Sequence, residues 1–320
     1  MASASDRLCL SRKLALGLLL LFLPIYVFSL DAVSLTEQGL ELMRQGRYRD
    51  AETALVQALK LAGPENPEAL YNLASIYHRE GRYQEAERLH SLALKGVERL
   101  HGPSDIQVAQ SLNDLGAIYR STGRYSQAVR VLERAAQILD LNPSDPLGPT
   151  LLNNLGLTYY EIGQPAKAEE ILQRALASAA SGHEQAQSEF PYILNSLARI
   201  YLDRKRYAEA ESAYRRAVTI LANMLGPEHP DYAVTLSNLG IAYLRQKRPL
   251  EARPLIEAAI DILERTMGRE APALATPLES YAAILKAFGR KSESQEISRR
   301  AKSIARPNSG TVDVKALKGR

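Results

Sequence analysis

The sequence predicts an all-α protein, a right-handed solenoid of about seven stacked helix–turn–helix units. Short polar turns recur at intervals of 35, 42, 40, 42, 42 and 42 residues, small and large residues keep fixed distances from them, and Pro-containing links separate the units. The composition, with 46% hydrophobic residues and one cysteine in 320, excludes a collagen-like, disulfide-rich or wholly disordered chain. The turn residues are Gly46, Gly81, Gly123, Gly163, Lys205, Lys247 and Gly289.

Each unit repeats one pattern of residue size around its turn. The residue seven before the turn is always Gly or Ala, and the residue four before it is Leu or Tyr. The residue five after the turn is Ala or Ser, and the residue twelve after it is Ala in all seven units. These spacings put the residues on one stripe of each helix, where small residues let two antiparallel helices approach closely. Glycine at most turns supplies the left-handed conformation that ends the first helix.

This small–large–small–Ala spacing resembles the tetratricopeptide repeat (TPR). The 42-residue period and the segments 225–231 (LGPEHPD) and 236–240 (LSNLG) resemble the kinesin-light-chain variety of that repeat. The resemblance covers roughly 85% of the chain, residues 33–305. It implies that the first helix of each unit lines a concave groove in which extended peptides bind.

The two ends of the chain differ from the repeats. Arg12 and Lys13 precede an apolar run over 14–30, which predicts a signal peptide or N-terminal anchor in 1–32, and residues 306–320 are expected to form a disordered basic tail. The chain is therefore expected to be bacterial and exported, periplasmic or extracellular, or membrane-anchored if the segment is not cleaved. Subtracting the charges of 1–30 (+2) and 306–320 (+3) from the total of +4 leaves −1 for 31–305. A nearly neutral repeat region does not favour nucleic-acid binding.

The residue types needed for catalysis are scarce. Cys9 lies in the leader, and none of the five histidines has a partner at metal-ligand spacing. The sequence has no Gly-rich phosphate loop and no nucleophile elbow. We therefore expect no enzymatic activity, no cofactor and no metal site.

Asparagines recur nine or ten residues before the turns. Asparagine is a poor helix former, and its carboxamide offers both a donor and an acceptor to a peptide backbone. The alternative is that some of these side chains bond only to neighbouring helices. Arginines further along the same helices could bind an acidic side chain or a C-terminal carboxylate, or be solvated. The candidate groove residues are Asn72, Asn113, Asn154, Asn195, Asn238, Arg79, Arg120, Arg199 and Arg245; the resemblance favours Asn72, Asn154 and Asn238.

These observations predict a protein–protein interaction module that binds a peptide segment of an envelope protein in its groove. The alternative function is an assembly scaffold that associates through its convex face or its ends. Ser294 and Ser298 are expected to give the last helix the polar outer face of a capping unit. The partner's identity and the oligomeric state are left open.

Overall fold

The computed structural model describes residues 31–63, 66–181 and 184–305, and this part of the chain contains helices and turns but no strand. The predicted signal segment (apart from residues 31 and 32), the basic tail after residue 305 and the link at 64–65 lie outside it. The all-α prediction is confirmed. The helices are α1 (31–44), α2 (Tyr48–Ala62), α3 (Pro67–Arg79), α4 (Tyr83–His101), α5 (Ile106–Ser121), α6 (Tyr125–Asp140), α7 (Gly148–Glu161), α8 (Pro165–Ser181), α9 (Glu184–Gln187), α10 (Phe190–Asp203), α11 (Tyr207–Leu225), α12 (Pro230–Arg245), α13 (Pro249–Met267), α14 (Ala275–Ala287) and α15 (Lys291–Ala305).

The chain divides between Leu147 and Gly148 into two compact units. The first unit contains three helix–turn–helix pairs, α1 to α6. The second contains four pairs, with the one-turn α9 in the link after α8 and a 3₁₀ turn, Pro272–Leu274, before α14. We call the first helix of each pair the A helix and the second the B helix.

The turn between paired helices uses the left-handed backbone conformation, as the sequence predicts. Five turns have glycine there, with φ between 72° and 79°. The turns of the fifth and sixth pairs have Lys205 and Lys247 instead, both at φ 60°. A side chain at this φ is strained, so the turn geometry is imposed by the packing of the two helices and not by glycine alone.

The small residues of the pattern lie in the contact between paired helices. The alanines twelve residues after the turns are all buried, with 0–1% of their surface exposed. A Cβ added at Gly116 would lie 2.6 Å from Cγ of Leu132, the residue nine positions after the turn. The same pairing joins Gly156 to Leu172 in the second unit. In these pairs glycine is needed seven residues before the turn because a branched side chain fills that space from the B helix.

The tyrosines four residues before the turn lie where one helix pair contacts the preceding pair. The Arg124 guanidinium lies 4.6 Å from the ring centre of Tyr119 and donates to both Glu87 carboxylate oxygens at 3.0 and 2.7 Å. In the second unit Arg206 repeats the arrangement over Tyr201, at 4.3 Å, and donates to Glu169. The turn arginine thus ties its own A helix to the preceding B helix.

One expectation about the last pair is wrong. Ser294 is 8% exposed and donates a 2.8 Å hydrogen bond to the Ala282 carbonyl, so it packs inward against α14 instead of forming an outer face. It occupies the small-residue position five after the turn, where its hydroxyl needs a buried acceptor. Ser298 is partly exposed and donates to Glu279.

Candidate functional site

Hydrogen bonds between polar side chains, which we call rungs, connect neighbouring A helices. The residue ten before one turn bonds to the residue nine before the next turn, 43 positions later. In the first unit the Tyr71 hydroxyl donates to Asp114 at 2.5 Å. In the second unit Asn238 Nδ2 donates to Asn195 Oδ1 at 3.2 Å. Within each of the two units, we call the surface formed by these two positions on the A helices the A-helix face.

The predicted asparagines all lie on this face, but they differ in how they are used. Asn195 also donates to Thr235 Oγ1 at 3.2 Å, so the Asn195–Asn238 pair follows the alternative of bonding to neighbouring helices. Asn72 and Asn113 are both buried, at 6% exposure. Asn113 donates a long bond of 3.4 Å to Asp114, and Asn154 is half-buried.

Two polar atoms on the A-helix face of the second unit have no hydrogen-bond partner in the described chain. They are Asn153 Oδ1 and Ser237 Oγ, both buried and both ten residues before a turn. A buried polar atom without a partner costs about 1–3 kcal/mol, so each requires an explanation. Sequence analysis identified this position in the pairs but did not distinguish these two residues from the others there.

The predicted arginines Arg79 and Arg199 are engaged by other side chains. Arg199 donates to Glu161 at 2.8 Å and lies 4.4 Å from the ring centre of Tyr160. Arg79 donates to the Tyr48 hydroxyl and lies 5.4 Å from that ring centre. Arg245 is exposed, and Arg120 is half-buried.

Two cavities lie on either side of Tyr71 in the first unit. One, of about 390 Å³, is lined by residues of all five helices from α1 to α5 and includes His78, His90 and Asp114. The other, of about 500 Å³, lies near the start of α3 and α5 and includes Gln110, whose amide donates to the Tyr71 hydroxyl at 3.1 Å. Both volumes lie in the range of about 300–1000 Å³ typical of ligand pockets.

The smaller cavity has unusual electrostatics. Burial raises the pKa of Asp114 to about 6, while hydrogen bonds from Tyr71 and Asn113 oppose that rise. Burial, and to a lesser extent the charge of His78, lowers the pKa of His90 to about 4, so its imidazole is neutral at pH 7. The His90 side chain is 1% exposed, its ring meets Tyr71 edge-on at 5.2 Å, and its Nδ1 is buried without a hydrogen-bond partner.

Sequence analysis missed this cluster because it searched for carboxylates at short spacing from the histidines. Asp114 comes from the next A helix, 24 residues after His90. Among the described residues no group of three or more His, Cys, Asp or Glu side chains could hold a metal ion. The same residues include no helix that is long and apolar enough to cross a membrane.

Models of the tetratricopeptide repeat family match most of the repeat region. One matches residues 65–141, 189–263 and 237–306, and a second matches 113–184 and 153–224. The chain therefore belongs to the tetratricopeptide repeat family, whose members generally act as non-enzymatic protein–protein interaction modules. No curated protein matches the chain.

Solved structures share the fold. A variant of a Podosopora anserina protein with nearly identical kinesin-light-chain TPR-like repeats is 25% identical, with a TM-score of 0.52 over 64% of this chain and 96% of that one. A tetratricopeptide repeat protein from Parabacteroides merdae is 20% identical, with a TM-score of 0.59 over 90% and 97% of the two chains. The apo form of RapI is 17% identical, with a TM-score of 0.66 over 86% and 97%. The last two show the fold alone.

Proposed function

We propose that the chain is a non-enzymatic interaction protein whose A-helix face binds an extended peptide segment of a partner. The observation that carries this proposal is that two atoms at the A-helix positions ten before a turn, Asn153 Oδ1 and Ser237 Oγ, are buried and left without hydrogen bonds, which a peptide that displaces the atoms covering them would supply. An extended peptide presents N–H donors and C=O acceptors along its backbone. A carboxamide can bond to either group whatever the peptide's side chains are.

The rungs also indicate how strong such binding would be. The Asn195–Asn238 bond already occupies one donor and one acceptor of this face. A peptide must therefore bond to the remaining atoms or displace existing bonds, and each exchange contributes only about 0.5–1.5 kcal/mol. We expect a weak to moderate affinity that is spread over several rungs.

The arginines would contribute unequally. Arg245 is exposed on α12, so its guanidinium can reach an acidic side chain or a C-terminal carboxylate. Arg79 and Arg199 would first have to leave Tyr48 and Glu161. Among the charged contacts, Arg245 is therefore the first choice for a peptide bound to the second unit.

Selection of peptides on the purified full chain tests the proposal. A phage-displayed library of random dodecapeptides is selected on the immobilised protein, and the affinities of synthetic selected peptides are measured by fluorescence polarisation. A variant with Asn153→Ala and Asn238→Ala should bind peptides seated on the second unit about thirtyfold more weakly, since it loses two hydrogen bonds of about 1 kcal/mol each. Gln173→Ala, which removes an exposed carboxamide from the B helix α8, should change nothing.

Circular dichroism and urea unfolding show whether each variant folds. Failure to select any peptide, or equal affinities for all three proteins, would contradict the proposal. If no peptide is selected but the chain self-associates in light scattering, the assembly scaffold becomes the better function.

We also propose that the protein is exported. The support is Arg12 and Lys13 followed by the apolar run 14–30. Cell fractionation of the full chain with a C-terminal tag, followed by N-terminal sequencing, tests this. A tagged protein that stays in the cytoplasm with its first residues intact would contradict it.

A further inference from the structure

We propose that the 390 Å³ cavity of the first unit is a specificity pocket for a basic side chain, lysine or arginine, of the bound peptide. Asp114, His90 and Tyr71 would hold the cationic group. The inference rests on the proposed function, because it names what one part of the A-helix face selects.

Asp114 is a carboxylate that lacks a counter-ion. It accepts hydrogen bonds from Tyr71 and Asn113, and it forms no ion pair within the described chain. An ionised carboxylate accepts about four hydrogen bonds, so acceptor positions remain. A buried charge without a partner is costly, which is why burial raises its pKa to about 6. A cationic nitrogen entering the cavity would supply both the missing charge and further donors.

The other walls of the cavity suit the same group. His90 is neutral and has an unpaired ring nitrogen, and a neutral imidazole has one nitrogen that accepts a hydrogen bond. Tyr71 packs beside it, and the face of a tyrosine ring attracts cations. The cavity thus combines an anion, a neutral acceptor and an aromatic wall, whereas an anionic ligand would meet the repulsion of Asp114.

Two arginines, Arg44 of α1 and Arg79 of α3, also line the cavity and narrow the choice of ligand. Arg44 is exposed and pairs with Glu41 at 3.3 Å, and the exposed Arg79 stacks on Tyr48. Their charges oppose a second cation in the cavity. They favour a peptide in which an acidic residue adjoins the basic one.

Oriented peptide pools test the pocket on the full chain. Fluorescein-labelled nonapeptides have a fixed central lysine, arginine, N-acetyl-lysine or norleucine, and the other positions are degenerate without lysine or arginine. Fluorescence polarisation should show that the wild-type protein binds the lysine and arginine pools about tenfold or more tightly than the two uncharged pools, as for other close charge pairs. Asp114→Asn should remove this preference, because it keeps the shape and the Tyr71 bond but removes the charge.

Glu170→Gln, at an exposed carboxylate on α8, is the matched control and should keep the preference. The contrast between lysine and acetyl-lysine on the wild-type protein needs no variant, so the test stands even if Asp114→Asn folds poorly. Equal binding of all four pools, with weaker binding by the variant carrying Asn153→Ala and Asn238→Ala, would overturn the pocket but support peptide binding. An absence of binding by every pool would overturn both.

Discussion

Replacing Gly116 by alanine tests the closest approach of two helices in the first unit. The new Cβ would lie 2.6, 2.7 and 3.0 Å from Cγ, Cδ2 and Cδ1 of Leu132. Favourable contacts between carbon atoms need about 3.5–4.0 Å. Leu132 is fully buried, and the nearest atom is its branch point, so a small rotation at the end of the side chain cannot relieve the overlap.

Two opposing effects set the size of the change at Gly116. Alanine in place of glycine inside a helix stabilises it by about 0.5–1 kcal/mol. Overpacking a well-filled core costs about 1–3 kcal/mol, and contact with a branch point puts this case near the upper end. We expect a net loss of about 1–2 kcal/mol in the free energy of unfolding.

Hydrogen exchange measured by mass spectrometry on peptides from α5 and α6 is the appropriate assay, because repeat proteins can open locally. Leu132→Ala alone should cost about 2–5 kcal/mol. The double variant with Gly116→Ala should cost less than the sum, since the added methyl enters the vacated space. The reasoning is refuted if Gly116→Ala slows exchange, as helix propensity alone would predict.

Three further predictions concern the turns, the cavity and the rungs. Lys205→Gly should raise the free energy of unfolding in urea by about 1 kcal/mol by relieving the positive φ, and Gly123→Ala should lower it by a similar amount. Between pH 4 and 6.5 the lowered pKa of His90 makes stability rise with pH, whereas the raised pKa of Asp114 makes it fall over nearly the same window. Relative to the wild-type profile, the urea midpoint should therefore shift downward with rising pH in His90→Leu and upward in Asp114→Asn; profiles parallel to the wild type would contradict these assignments. Asn195→Ala should cost about 1–2 kcal/mol in urea unfolding, since it removes two hydrogen bonds to α12, and an unchanged midpoint would show that this rung contributes nothing.

The helices and turns could be predicted from the sequence because their causes are local. Residue size at fixed offsets decides which side of each helix is buried, so the repeated alanines and the left-handed turns follow from the sequence pattern. The left-handed Lys205 also follows, since the turn position is set by the packing on both sides of it. The same offsets placed Ser294 correctly at a small-residue position, but its hydroxyl was wrongly assigned to the outer face.

The partners on the A-helix face could not be predicted in this way. The relative displacement of neighbouring A helices along their axes decides whether Asn195 faces a peptide or Asn238. No residue within one helix pair fixes that displacement. The same displacement brings Asp114 to Tyr71 and into the cavity that contains His90. Comparison of residues one period plus one position apart, 43 residues here, is the sequence signal that would have found both pairs.

The close approach at Gly116 follows a rule that extends to the cavity. Where the residue seven before the turn is glycine, the residue nine after it is Leu or Ile, and where it is alanine, the later residue is His90, Tyr214 or Ser298. The two positions meet at all four glycines. The same offsets place Ala74 opposite His90, so a branched side chain at position 90 should require glycine at position 74.

Combining His90→Leu with Ala74→Gly tests this rule. His90→Leu alone removes a buried unpaired nitrogen, which favours stability by about 1–3 kcal/mol, but it brings a branched side chain against the Ala74 methyl at a similar cost. Adding Ala74→Gly should raise the free energy of unfolding by about 1 kcal/mol or more over His90→Leu, because relief of the overlap exceeds the helix-propensity loss. Ala74→Gly in the wild-type background should instead lower it by about 1 kcal/mol. If glycine lowers stability equally in both backgrounds, the residue at position 74 does not contact the one at position 90, and the size pattern has another cause.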